Sequence, residues 1–62
     1  MPAPIKRDIK RAIVAEADLQ DCYRRLAFET GNPRVKAVLR DLLLMEEMNE
    51  VLLRSLNQSL EP

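Results

Sequence analysis

Histidine and tryptophan are absent from this 62-residue chain, and cysteine, glycine, tyrosine and phenylalanine each occur once. Without histidine there is no imidazole to move protons near neutrality or to ligate a metal. Cys22 has no second cysteine with which to form an internal disulfide, and a lone thiol fits a reducing, cytoplasmic setting. One glycine cannot make a phosphate-cradling loop, and the serines and the single threonine have no basic partner to activate them as nucleophiles. Ten basic residues balance ten acidic ones, so the net positive field behind general nucleic-acid binding is missing. No apolar run approaches the roughly 20 residues of a membrane span, and the N-terminal residues lack the apolar core of a secretion signal.

Turn chemistry marks two helices. Pro4 suits the first turn of a helix, where its missing N–H is not needed. The spacing predicts helix one from about Ile5 to about Glu29, a turn over 30–33, and helix two from about Pro33 to about Asn57. Gly31 is expected as a left-handed cap ending the first helix. Asn32 is expected to cap the second, with Pro33 at its first position. Helices of this length span about 37 Å each. So short a link folds them antiparallel, giving an all-α hairpin that forms one domain. A 62-residue chain buries too little surface to be comfortable alone. With no disulfide available, a metal or a partner chain is needed, and a homodimeric four-helix bundle is the default.

An apolar stripe recurs at alternating steps of three and four along each half. It runs Ile5, Ile9, Ala12, Glu16, Leu19, Tyr23, Leu26 in the first, and Val35, Leu39, Leu42, Glu46, Asn49, Leu53, Leu56, Leu60 in the second. Glu16, Glu46 and Asn49 interrupt it. Glu16 and Glu46 are each fifteen residues from Gly31, so an antiparallel hairpin sets them level. A two-fold axis through the bundle then gathers four carboxylates in one central layer. Residues 12–23 and 41–53 contain no lysine or arginine, so the layer is expected to lack a base. Crowded carboxylates in a dry interior must take up protons or bind cations. An oxygen-rich set of this kind suits iron, manganese, magnesium or calcium. A polar residue at a core position also serves to fix register or oligomeric state, and that reading stands beside the metal one.

These residues resemble the ferritin-like superfamily, in particular rubrerythrins and the short encapsulated ferritins. Glu16 and Tyr23 match a Glu followed seven residues later by Tyr on the first helix of that family. Glu46-Glu47-Met48-Asn49 matches its Glu-x-x-His motif, with asparagine at the histidine position, and Arg34-Val35-Lys36-Ala37-Val38-Leu39 is similar to the start of its second helix. The likeness runs from about Ile9 to Leu56. It implies two hairpins forming a bundle that holds two iron ions, with Glu16 and Glu46 as ligands and Asn49 as a weak one. It also implies Tyr23 as a hydrogen-bond donor to a ligating carboxylate, and Asp18 as an acidic residue on the path by which metal reaches the site. The implied chemistry is oxidation or sequestration of ferrous iron. Asn49 lowers iron affinity relative to imidazole. The chain ends soon after helix two, without the extension that encapsulated ferritins use to dock in their shell, so encapsulation is not expected.

Three further features stand apart. Leu44, Met48 and Val51 make a second apolar stripe opposite the first, suited to a higher oligomer, another protein, or partial burial under the neighbouring hairpin. Lys6, Arg7, Lys10 and Arg11 cluster at the start of helix one, beside the expected end of helix two, where the helix dipole favours cations. Cys22 reads as a small packing residue. The alternative to a metal protein is a structural oligomerisation or adaptor module that keeps the bundle and no chemistry. A helix-turn-helix nucleic-acid binder conflicts with the zero net charge and the long helices.

Overall fold

A computed structural model describes residues 3–60 of the chain. Two helices, α1 (Ala3–Glu29) and α2 (Pro33–Leu60), account for all of them except a three-residue link. They pack along one another as a hairpin within a rod of 47 × 14 × 10 Å, and no strand occurs among the described residues. Helix two runs three residues past the end expected from sequence.

The link is built as expected on one side and differently on the other. Asn32 Oδ1 accepts the backbone N–H groups of Arg34 at 2.9 Å and Val35 at 3.2 Å, satisfying two of the unpaired donors at the start of α2. Pro33 follows at the first helical position, where it has no N–H to leave unpaired. The end of α1 corrects the sequence expectation, because Gly31 does not adopt a positive φ. The helix closes with Thr30 N–H donating to Leu26 C=O at 2.9 Å, and the Thr30 hydroxyl accepts the Asn32 N–H at 3.2 Å. The side chain and backbone of Thr30 do the work assigned to a left-handed glycine.

The single stripe read from sequence divides into two lanes, each stepping by seven residues. Ile9, Glu16 and Tyr23 of α1, with Leu39, Glu46, Leu53 and Leu60 of α2, lie half-buried or buried in the seam between the helices. Ile13, Gln20 and Ala27, with Leu43, Glu50 and Asn57, complete that seam. The other lane is Ile5, Ala12, Leu19 and Leu26 on α1, and Val35, Leu42, Asn49 and Leu56 on α2. Of these only Ala12 and Leu42 are half-buried, and the rest are exposed. At about 100° per residue this lane sits roughly 60–70° round from the seam on each helix. Because the helices run in opposite directions, both rotations lead to the same side of the hairpin. Val38, Met45 and Leu52 widen this open apolar face. The opposite side carries Lys10, Asp21, Arg24, Arg40, Glu47 and Arg54, all exposed.

Among the described residues the buried apolar core is Ile13 and Leu39 alone, and no side chain is fully enclosed. Thirteen large apolar residues among those described are exposed, and eight of them (Ile5, Leu19, Leu26, Val35, Val38, Met45, Leu52 and Leu56) belong to the open face. That concentration exceeds the scattered apolar exposure normal for a small protein. Leu44, Met48 and Val51 are likewise exposed, as is Phe28 at 88%.

Candidate functional site

The seam's polar residues define the site. Glu16 is half-buried, and its Oε2 is shut off from solvent with no hydrogen-bond donor. Leaving a carboxylate oxygen in that state costs about 1–3 kcal/mol or more. Glu46, on the facing helix, is also half-buried. By the same rotation of about 100° per residue, Glu16, Glu46 and Tyr23 lean from the seam towards the open face. Asn49 lies on that face and is exposed. Asp18 is exposed on α1. The Tyr23 ring is half-buried, and its hydroxyl makes no hydrogen bond among the described residues, so the donor role implied by resemblance is not formed within one hairpin. No three acidic or cysteine side chains converge among the described residues, so one hairpin does not assemble a metal cluster by itself.

Gln20 is a feature that the sequence reading missed. It is the most buried polar residue described, at 7% exposure. Its Nε2 donates to Glu50 Oε1 at 2.8 Å and to the Glu46 backbone carbonyl at 3.4 Å. Its Oε1 accepts from Arg24 Nη2 at 3.4 Å. Arg54 Nε donates to the other Glu50 oxygen at 2.8 Å, so both Glu50 oxygens are engaged. The Arg54 bond first, and the Gln20 bond second, hold the Glu50 carboxyl below its ordinary range. The sequence signal was available: Gln20 falls four residues after Glu16 and three before Tyr23, on their face of the helix.

This network brings arginine into the acidic belt beside the Glu16 and Glu46 layer. Arg54 and Arg24 each lie one residue outside the arginine-free stretches, and each reaches inward along its own helix. The counter-charge reaches Glu50 on the charged side of the seam. No ion pair reaches Glu16 or Glu46 among the described residues. The acidic belt therefore has two sides, one neutralised by arginine and one not.

Comparison with known protein families, characterised proteins and solved structures finds no match for this chain. No helix among the described residues is long and apolar enough to cross a membrane.

Proposed function

We propose that the chain is a ferritin-like metal-binding hairpin that works as a pair. Two copies join through their open faces into a four-helix bundle, and the Glu16 and Glu46 carboxylates of both line its middle. The observation that carries this reading is Glu16 Oε2, buried without a donor on the side of the seam where no arginine reaches. A cation completes that carboxylate at lower cost than an unpaired burial does.

The donor set fits a hard cation. Glu16 and Glu46 offer carboxylate oxygens and Asn49 offers an amide oxygen, which suit manganese, magnesium, calcium or iron. A bound ion supplies charge neutralisation and, where it is redox-active, electron transfer. The chain's own residues position it and exclude water from it. Ferrous iron enters this scheme as cargo or as the species oxidised. Tyr23 leans to the same side and is placed to donate to a ligating carboxylate once the second hairpin is seated.

Metal titration of the purified protein with manganese or ferrous iron, beside Glu16→Ala and Glu46→Ala, tests the reading. Stoichiometric metal in the parent and none in either variant is expected. A parent that stays dimeric and binds no metal overturns it.

The exposed open face favours a second reading, in which the hairpin is an assembly module without chemistry. In that case association persists unchanged in the presence of a chelator and in Glu46→Ala.

A further inference from the structure

We infer that the outer face of the first half of α1 is a docking groove for a short peptide segment, acidic at one end and aliphatic at its middle. The groove is separate from the carboxylate site, and the inference needs neither a metal nor a second copy.

The groove has a volume of about 760 Å³ and is lined by α1 alone. Lys6, Arg7, Lys10 and Arg11 line one end, Val14 and Ala15 the middle, and Asp18 the other end. From Lys6 to Asp18 it runs for about 18 Å. At about 100° per residue, Arg7, Arg11, Val14 and Asp18 sit within about 40° of the direction opposite the seam, and roughly 90–150° round from the open apolar lane. Pairing through the open face therefore leaves the groove uncovered. Val14, at its middle, is 60% exposed.

The cations at its head lack an internal explanation. The C-terminus of α2 favours positive charge on the side of α1 that faces it, but Arg7 and Arg11 sit on the far side. There they lie near the positive end of α1 itself, whose first turn holds no acidic residue. Asp8 is the one acid paired with these arginines among the described residues, 3.7 Å from Arg7 and 3.8 Å from Arg11. More than three-fifths of each of the three side chains is exposed, so these pairs carry little energetic weight. The positive charge of Arg7, Lys10 and Arg11 exceeds that local counter-charge, and an acidic occupant complements it.

The order of charges along the groove selects a peptide over a uniform polyanion. A nucleic-acid strand or an anionic membrane meets Asp18 inside the groove and Asp21 one turn beyond it, both exposed. Asp21 is held by Arg24 at 3.2 Å, and Arg25, two turns beyond Asp18, lies outside the groove. A peptide can change sign along its length. Acids over Arg7, Lys10 and Arg11, an aliphatic side chain on Val14 and Ala15, and a base or amide facing Asp18 satisfy every part of the lining. Arg7, Arg11, Val14 and Asp18 follow one another at steps of four, three and four, so a partner helix lying alongside reads them with the same spacing.

Fluorescence anisotropy tests the inference with a labelled helical peptide that carries glutamates over its first two turns, leucine at its centre and lysine at its end. The parent is expected to bind it, and Arg7→Glu/Arg11→Glu to weaken binding by roughly tenfold or more while keeping the parent's helical circular dichroism. A peptide ending in glutamate instead of lysine is expected to bind the parent less tightly and Asp18→Lys more tightly. That exchange decides the matter if the double variant loses its helices. Single-stranded oligothymidylate, and vesicles of mixed phosphatidylserine and phosphatidylcholine, are expected to bind more weakly than the peptide. No peptide binding at any concentration reached, binding indifferent to Arg7→Glu/Arg11→Glu, no gain for the glutamate-ended peptide in Asp18→Lys, or tighter binding of the oligonucleotide or the vesicles overturns the inference.

Discussion

Gln20 and Glu50 meet across the hairpin at 2.8 Å, amide nitrogen to carboxylate oxygen, and the same amide reaches the Glu46 carbonyl at 3.4 Å. This tie joins the two helices across a seam whose buried apolar core, among the described residues, is Ile13 and Leu39. It also steadies the backbone that carries Glu46. The arginines at its two ends keep it on the charged side of the molecule, leaving the open face apolar around Asn49.

Gln20→Ala removes the tie and opens space in the seam. Thermal unfolding followed by circular dichroism is expected to show a loss of about 1–2 kcal/mol. Asp21→Ala, one residue away and exposed, is expected to change stability by less than about 0.5 kcal/mol.

Glu50 makes stability depend on acid. Its folded-state pKa lies below the ordinary value of 4.5, so its contribution is fully present above that value. It is lost as pH falls from about 4.5 through the lower folded value. Chemical denaturation between pH 6 and pH 3 is expected to show this decline in the parent. In Glu50→Gln the decline is expected to be shallower, from a lower starting stability.

The two neighbours in the turn respond in opposite directions. A Cβ added at Gly31 meets no atom within 4 Å, and the backbone there is not in the left-handed region. Gly31→Ala is therefore expected to stabilise by about 0.4–1 kcal/mol through the unfolded chain. Asn32→Ala removes the acceptor for two N–H groups and is expected to destabilise by about 1 kcal/mol. Melting temperatures of the two variants against the parent check both signs.

Asn49→His places an imidazole where the chain offers an amide. On the proposed function, affinity for zinc or ferrous iron measured by competition is expected to rise by roughly tenfold or more, about 1.4 kcal/mol per factor of ten. Calcium affinity is expected to stay level or fall, because calcium prefers oxygen.

Much of the fold was legible because two helix signals were unambiguous, the Asn32-Pro33 start and the three-and-four periodicity. The seam was harder. Residues such as Leu19 and Leu26 are as apolar as Leu39, and hydrophobicity alone cannot say which lane meets the neighbouring helix and which stays exposed. The three-and-four spacing alone does not separate the two lanes. The Gly31 cap failed because threonine can supply locally, through its hydroxyl and its own amide, what glycine supplies by conformation. Glu16 and Glu46 were found as interruptions of the pattern. Gln20 was overlooked because it sat one position off that pattern, although its long amide needs a buried partner as much as a carboxylate does.

With three residues joining two helices of nearly equal length, Ala3 and Leu60 emerge together at one tip of a 47 Å rod, far from Gly31. Labels attached near Ala3 and Leu60 would be held as neighbours. Energy transfer between such labels would report the helices parting, and a graft at Gly31, between the Thr30 and Asn32 caps, would project from the other end.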